Sequence, residues 1–296
     1  MTQKKALVII DIQNDITKNY KEIIDNINKS KEDETLSIMT MTTEKSKAEL
    51  YLYGSGTCTI DWGDGTVITV TLLPKGQRPT ETKTHAYVND SIHTITITGG
   101  TITGVVCMDN QLTNLDISKN PALTHLNCMG NQLTSLDLSK NLALENFDCN
   151  GNQFTSLDMS NNIALTFLGA NQNEKLVNLD VSKNILLLEL SCGYNQLTSI
   201  DVSNNTALKV LRCDENQLTS LDVSKNTNMR TLSCRNNNLE AIAMNTLIGT
   251  LHSNKVIDKF WEEEAQKELH ISENPGAESC NRNIAVDKGW KVIVEE

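Results

Sequence analysis

The stretch LTHLNCMGNQLTSLDLSKNLA at residues 123–143 carries a pattern that repeats through the middle of the chain. Written as L-x-x-L-x-C-x-x-N-x-L-x-x-L-D-V-S-x-N, it can be counted about seven times from Ile102 to about Asn245. The copies are 21 residues apart, and one extra residue falls between Asn173 and Leu176. A unit this short cannot bury its own apolar residues, so successive copies are expected to stack as coils of a solenoid. The extra residue predicts a bulge in the loop of the fourth coil.

Six of the eight Cys occupy one position of the repeat. They are Cys107, Cys128, Cys149, Cys192, Cys213 and Cys234, with Ala170 at that position in the fourth copy. We expect parallel strands at Leu-x-Cys, about 4.8 Å apart, with the Leu and Cys side chains in the core. Free Cys packs as a small hydrophobe, and in-register parallel side chains point alongside one another rather than toward a disulfide partner. No Cys-x-x-Cys or Cys/His pair suits zinc, so the sequence predicts buried thiols, no metal and no cofactor.

Asn is the most unusual feature of the composition, because 25 of the 34 Asn lie between residues 101 and 245. One column contains Asn110, Asn131, Asn152, Asn173, Asn195, Asn216 and Asn237, and a second contains Asn120, Asn141, Asn162, Asn184, Asn205 and Asn226. An Asn amide can satisfy backbone groups where the chain turns inward and can bond to the next coil. The clustering therefore predicts two structural ladders.

An Asp column points outward from the second half of each repeat. It contains Asp116, Asp137, Asp158, Asp180, Asp201 and Asp222. Like charges one coil apart repel, so we expect nearby Ser and backbone donors or Lys to offset them; calcium is the alternative.

The repeat closely resembles the bacterial leucine-rich repeat family, of the internalin or surface-protein type, over about half of the chain. The resemblance implies a leucine-rich repeat solenoid of mainly parallel β coils at residues 101–245. It also implies a bacterial surface or secreted adhesion protein.

The segment before the repeat, residues 33–100, alternates apolar and polar residues, as in Ala48–Tyr53 and Thr94–Thr98, which predicts half-buried strands. The motif Trp62-Gly63-Asp64-Gly65 with the later His85-Ala86-Tyr87 is similar to the polycystic-kidney-disease-type β-sandwich. The resemblance implies a small β-sandwich that caps the solenoid at its N-terminal end. Asp61 and Asp64 are expected to form a turn, with calcium binding as the alternative.

The segment after the repeat, residues 246–296, shows helical and strand patterns. Helices are predicted at 243–251, 255–267 and 279–287, and strands at 268–271 and 289–294. Since an open solenoid end needs a polar-faced cover, we expect a C-terminal α/β cap with Trp290 in its core.

Residues 1–32 predict a buried strand that ends in Asp11, followed by a helix. This segment resembles the start of the isochorismatase-like cysteine hydrolases, in which the residue matching Asp11 is the catalytic base. The Lys and nucleophilic Cys of that family are absent, and a lone strand and helix cannot form the sheet that the chemistry needs. We interpret the segment as a hydrolase-like remnant or a fusion.

No nucleophile and base, phosphate loop or metal cluster can be assembled from the sequence, so we expect a non-enzymatic binding module. Its candidate surface comprises outward residues that vary between copies, although solvated positions vary in the same way. They are His125, Asn127, Asn146, Asp148, Phe167, Glu189, Ser191, Tyr194, Arg212, Asp214, Ser233 and Arg235. The alternatives are a structural spacer without a ligand and, second, a cysteine hydrolase.

The size of the strand face limits the partner. Seven coils at about 4.8 Å and five residues at about 3.3 Å give roughly 550 Å², whereas a protein interface needs about 800 Å² on each side. A peptide or glycan would fit the strands alone, and a protein would also have to contact a loop edge or a cap.

Charge and hydropathy restrict partners and location further. The 26 basic and 37 acidic residues give a net charge of −11, which argues against nucleic acid as a partner. No apolar run approaches the roughly 18 residues of a membrane span. The apolar stretch at residues 6–10 is too short for a signal peptide, so the chain as written is expected in the cytoplasm, in contrast to the family resemblance. We expect a monomer.

Overall fold

The computed structural model describes residues 37–76, 82–88, 91–256 and 265–294. The expectations for residues 1–32, including Asp11, lie outside the described residues, as does the predicted helix where it covers residues 257–264.

Eight strands form the N-terminal part of the molecule. They are β1 (Ile38–Thr43), β2 (Lys47–Ser55), β3 (Thr57–Asp61), β4 (Val67–Thr71), β5 (Lys83–Ala86), β6 (His93–Thr98), β7 (Thr101–Val106) and β8 (Leu112–Asp116). One sheet has the order β4-β3-β6-β1-β8, and the strands β5-β2-β7 begin a second sheet. Alternate side chains are buried along β1 and β2, as the sequence pattern predicts. The N-terminal strands and the first coil share a sheet across the boundary at residue 100, because β8 of the first coil pairs with β1.

The turn between β3 and β4 is formed by Asp61 and by Asp64 of the Trp-Gly-Asp-Gly segment that follows it. The Asp61 carboxylate accepts the Gly63 N–H at 2.9 Å, and the Asp64 carboxylate accepts the Thr66 N–H at 2.9 Å. Gly63 has a φ of +82°, and a Cβ there would lie 2.5 Å from the Thr94 carbonyl oxygen. Both carboxylates therefore have the turn-forming contacts that the sequence favours.

A row of rings packs beside this turn. His85 stacks on Trp62 with ring centroids 5.1 Å apart, and Tyr87 stacks on His93 at 3.8 Å. The Tyr87 hydroxyl donates to the Trp62 carbonyl at 2.9 Å, so both aromatic residues of the motif belong to the N-terminal core.

The solenoid continues the second sheet with one short strand per coil. Its strands are β9 (His125–Asn127), β10 (Asn146–Asp148), β11 (Phe167–Gly169), β12 (Glu189–Ser191), β13 (Val210–Arg212) and β14 (Thr231–Ser233). All pair in parallel and in register, so that Leu126, Phe147, Leu168, Leu190, Leu211 and Leu232 form one row. The predicted solenoid of parallel β coils is confirmed.

The Cys column lies in the core, as predicted. The six repeat Cys and Ala170 are 0% exposed, and all eight Cys are free thiols. Burial raises the pKa of the Cys107 and Cys192 thiols to about 12. These side chains therefore act as apolar packing groups.

The first Asn column forms a ladder between coils. The Asn152 amide nitrogen donates to the carbonyls of Cys128 at 2.9 Å and Cys149 at 3.1 Å, and its oxygen accepts the Leu133 N–H at 3.0 Å. The second column bonds between coils through its amide nitrogens alone: the Asn141 nitrogen donates to the Ile117 and Asn120 carbonyls at 3.1 and 2.9 Å, whereas the side-chain oxygens of this column accept no hydrogen bond from the described residues.

Backbone donors stabilise the charged carboxylates of the Asp column. Each carboxylate accepts the N–H of the Ser two residues later, as in Asp137 and Ser139 at 2.8 Å. Hydrogen bonds from Ser139 lower the pKa of Asp137, with a smaller lowering contribution from Lys140. Serine and backbone donors thus provide the expected compensation.

The inserted residue of the fourth coil forms a tight turn. The Leu176 N–H donates to the Asn173 carbonyl at 2.8 Å, whereas Leu133 at the matching position donates to the Asn of the following coil. The next coil resumes the pattern, because the Gln196 N–H donates to the Leu176 carbonyl at 2.9 Å.

The C-terminal segment contains α1 (Ala241–Thr250), β15 (Lys267–His270), α2 (Asn283–Asp287) and β16 (Trp290–Ile293). Strands β15 and β16 extend the parallel sheet beyond residue 245, so the described chain has nine parallel coil strands, of which seven lie in the predicted repeat range of 101–245. Asn274 continues the first ladder by donating to the Cys234 carbonyl at 2.8 Å. The helix predicted at 279–287 is shorter, because Ser279 lies in a turn and the helix begins only at Asn283. Trp290 is 2% exposed, as expected of a core residue.

Candidate ligand-binding cleft

The parallel register arranges the predicted surface residues in rows across the strands. Gly104, His125, Asn146 and Phe167 are adjacent in the first row, which continues with Glu189. Val106, Asn127, Asp148 and Gly169 are adjacent in the second row, which continues with Ser191, Arg212 and Ser233. Side chains two residues apart on a strand share a face, so both rows lie on the same side of the sheet.

Five of the twelve predicted residues line one cleft at the N-terminal end of this face. They are His125, Asn127, Asn146, Asp148 and Phe167. The cleft has a volume of about 660 Å³, and Tyr53, Lys75, Gly76, Val105, Val106 and Leu126 complete its lining. The N-terminal strands therefore supply one wall and the first coils supply the floor.

Tyr53 forms that wall because a glycine leaves space for it. Strand β2 pairs with β7 so that Tyr53 lies opposite Gly104. A Cβ at Gly104 would lie 2.9 Å from Cδ2 of the Tyr53 ring. Any side chain at residue 104 would displace the ring, so Gly104 is required for the shape of the cleft.

His125 is a neutral polar group in the cleft. Burial, and then the nearby Lys75 ammonium, lower the pKa of the His125 imidazole to about 4. The Lys75 ammonium contacts Nε2 of the imidazole, and the Thr124 hydroxyl lies 2.7 Å from Nδ1. The ring is therefore uncharged at neutral pH, and Lys75 supplies the positive charge at this rim.

Asn127 and Asp148 are neighbours in the second row and are held by their own backbone. The Asn127 side-chain oxygen accepts the Met129 N–H at 3.1 Å, and one Asp148 oxygen accepts the Asn150 N–H at 3.2 Å. These bonds leave the Asn127 amide nitrogen and the second Asp148 oxygen available to a ligand. Burial raises the pKa of the Asp148 carboxyl, which is consistent with a partly desolvated position.

The other seven predicted residues lie along the later coils. Arg212 pairs with Glu189, and the Asp214 carboxylate accepts hydrogen bonds from the Ser233 hydroxyl and from the Arg235 N–H. Ser191, Asp214 and Ser233 are 7%, 6% and 6% exposed, so the expectation of solvent-exposed side chains is wrong for these three. Tyr194 is half-exposed and stands outside the cleft.

Of the six lining residues that were not predicted, Tyr53 supplies an aromatic ring and Lys75 supplies a positive charge. The alternation of apolar and polar residues around Tyr53 predicts a strand but does not identify the strand that pairs with it. Lys75 follows β4 in a loop that has no sequence pattern. No signal in the sequence places Tyr53 opposite Gly104, because that contact depends on the pairing of β2 with β7.

The described residues contain no cluster of three His, Cys, Asp or Glu side chains suited to a metal ion. Within the same ranges, none of the helices has the length and hydrophobicity needed to cross a bilayer.

Two solved structures share this fold. The functional domain of InlJ from Listeria monocytogenes, which includes a cysteine ladder, matches 66% of this chain at 32% identity with a TM-score of 0.53. This chain spans 44% of that protein chain. Internalin C2 from Listeria monocytogenes matches 66% of this chain at 17% identity with a TM-score of 0.54, over 81% of its own length, and shows the fold alone. Neither a protein-family model nor a curated protein matches the sequence.

The chain therefore has the leucine-rich repeat fold. Its core contains a column of Cys, and the InlJ domain includes a cysteine ladder.

Proposed function

We propose that this protein is a non-enzymatic binding module that recognises a peptide, a glycan or an exposed protein segment through the cleft at the start of its strand face. One observation carries the proposal: five side chains chosen only because they vary between repeats meet in a single cleft of about 660 Å³. Five varying side chains that share a concave, partly apolar site favour recognition over simple solvation at these positions.

The solved structures support the same function. Leucine-rich repeat neighbours are typically protein-binding repeats rather than enzymes, and the InlJ domain and internalin C2 share the fold. These bacterial neighbours also support our proposal of a surface or secreted location and an adhesive role, for a chain that we expect to be monomeric.

The flanking segments complete the proposal as caps. We assign residues 33–100, with their polycystic-kidney-disease-type motif, to an N-terminal cap and residues 246–296 to a C-terminal cap. The buried Trp62 and Trp290 support these roles, because each anchors a core at one end of the stack.

Binding to peptide, protein and glycan arrays tests the proposal with two matched variants. Phe167→Ala removes an aromatic side chain from the cleft, and Tyr194→Ala removes an exposed aromatic side chain from the next coil, outside the cleft. We expect Phe167→Ala to abolish or strongly weaken binding and Tyr194→Ala to leave it within about twofold, with both variants folded by circular dichroism. Binding unaffected by Phe167→Ala would place the ligand elsewhere, and no binding on any array would support a structural spacer.

A further inference from the structure

Resting on the proposed function, we propose that the cleft binds a neutral carbohydrate of one or two sugar rings, with the ring edges on a polar floor and a ring face against an aromatic wall.

The floor of the cleft is a grid of four planar polar groups. His125 and Asn146 are register neighbours in one row, and Asn127 and Asp148 are register neighbours in the other. Adjacent coils are about 4.8 Å apart and same-face residues on a strand are about 6.6 Å apart. A grid of this size matches the spread of hydroxyl groups around one pyranose ring. Asn127, Asn146 and Asp148 combine donors and acceptors, and a sugar hydroxyl is both a donor and an acceptor. His125 contributes the face of its neutral ring, because both of its nitrogens already contact Lys75 and Thr124.

Two aromatic rings bound this floor at opposite ends. Tyr53 lies over Gly104 before the first polar pair, and Phe167 follows Asn146 in the same row. Gly169 follows Asp148 in the second row, and its lack of a side chain keeps the floor open beside Phe167. An aromatic face attracts the weakly positive C–H groups on the apolar face of a sugar ring, because the ring quadrupole is negative there.

The charges of the cleft favour a neutral ligand. Lys75 supplies one positive charge, Asp148 supplies one negative charge, and the His125 imidazole is uncharged at neutral pH. An acidic ligand would bring a charge toward the desolvated Asp148 carboxylate, and a basic one would meet the Lys75 ammonium. A neutral polyol has neither conflict.

The backbone of the floor offers little to a peptide. Strands β9 and β10 pair on both sides, with β7 and β11 as the outer neighbours, so their main-chain groups are used within the sheet. A peptide cannot add a strand here, although strand addition supplies most of the main-chain bonds in extended-peptide recognition. A ligand that presents many hydroxyls of its own does not need a free strand edge.

The test measures binding of defined probes by saturation-transfer NMR and isothermal titration. The probes are five neutral disaccharides (lactose, maltose, cellobiose, mannobiose and chitobiose), free sialic acid, and a library of short uncharged peptides. Phe167→Leu keeps apolar volume but removes the aromatic face, and Phe167→Trp keeps the face. Asp148→Asn keeps the shape but removes the charge, and Tyr194→Leu is the control outside the cleft.

We expect at least one neutral disaccharide to bind. Phe167→Leu and Asp148→Asn should each weaken it about tenfold, while Phe167→Trp and Tyr194→Leu stay within about twofold. Binding of peptides alone, or of sialic acid alone, with sensitivity to Phe167→Ala would overturn the carbohydrate inference and leave the proposed function intact. Disaccharide binding that no cleft variant changes would overturn the carbohydrate inference. Failure of every probe class to bind would overturn the inference and would also count against the proposed function.

Discussion

At the scale of single residues, the side chain of Asn152 shows how one amide closes a coil. It bridges two carbonyls and one N–H from adjacent coils and is 6% exposed. Each buried backbone group left without a partner costs about 1–3 kcal/mol. The repeated Asn is therefore part of the backbone hydrogen bonding of the solenoid.

Replacing this residue tests that role. We expect Asn152→Ala to lower the free energy of unfolding by about 1–3 kcal/mol, because the Leu133 N–H loses its acceptor, whereas the Cys128 and Cys149 carbonyls each keep one Asn amide donor. Asn161→Ala, at an exposed Asn of the following turn, should change it by less than about 0.5 kcal/mol. Chemical denaturation of both variants checks the difference, and similar values for the two would contradict the ladder.

His125 gives a pH-dependent prediction at the same scale. Its pKa is about 4 in the folded protein against 6.5 ordinarily, so between these values the unfolded chain binds more protons. The contribution of His125 to stability is therefore complete above pH 6.5 and falls as the pH drops toward 4. NMR titration should find its imidazole titrating below the ordinary range, and Lys75→Met should raise that pKa. A midpoint near 6.5 in the wild type would contradict the burial of this ring.

Some residue contacts were beyond sequence reasoning. Asp214 and Ser233 occupy columns that face outward, and that orientation was predictable from the alternation of the strand. Their burial was not, because it depends on the mutual contacts of Asp214, Ser233 and Arg235 across two coils.

At the scale of elements, the Cys column determines the chemical behaviour of the solenoid. Seven Cys are buried, and burial raises the pKa of the column thiols; Cys280 is partly exposed. The thiolate is the reactive form of Cys. The buried thiols are therefore protected from reagents both because solvent cannot reach them and because they remain protonated.

Thiol counting with an aromatic disulfide reagent tests this protection. We expect one thiol, Cys280, to react rapidly in the native protein and all eight to react in denaturant. Cys280→Ser should leave no rapidly reacting thiol. A second rapid thiol would show that one coil opens readily.

Periodicity predicted the coils where the spacing was regular or shifted by one residue, and it missed the coil that follows a long insertion. The eighth coil has the expected Leu269, Ile271 and Asn274, but Asn274 follows Asn237 by 37 residues instead of 21. Helix α1 and the segment after it fill the difference. A fixed period cannot detect a coil displaced in this way, although the ladder contacts are the same.

At the scale of the whole molecule, the core is a stack in which each coil contacts its neighbours. Stability in such a stack is approximately a sum of coil and interface contributions, so damage at one end should remain local. We propose that the N-terminal strands and the C-terminal segment protect the two ends.

Trp290 allows this expectation to be tested. Its indole N–H donates to the His252 carbonyl at 2.9 Å, and the side chain is almost fully buried. We expect Trp290→Ala to lower the free energy of local unfolding at the C-terminal end by about 3–5 kcal/mol. Hydrogen exchange should accelerate in β14 and β15 and remain unchanged in β9 and β10. Uniform acceleration through all coils would indicate a single cooperative unit.

The cleft shows the limit of sequence reasoning at this scale. His125 and Phe167 could be predicted as outward-facing because the repeat fixes their position. Tyr53 and Lys75 could not be placed beside them, because the pairing of β2 with β7 joins segments about 50 residues apart in sequence.

The pairing of β2 with β7 also makes one continuous hydrogen-bonded sheet from the N-terminal strands to β16. A force that pulls the two ends of this sheet apart would act perpendicular to the strands, and the hydrogen bonds between each pair of neighbouring strands would bear it in series. The weakest row would then separate first while the remaining coils stay folded, so the protein should lengthen in small steps under tension. A protein that links two surfaces in this way would absorb a pull before releasing its ligand.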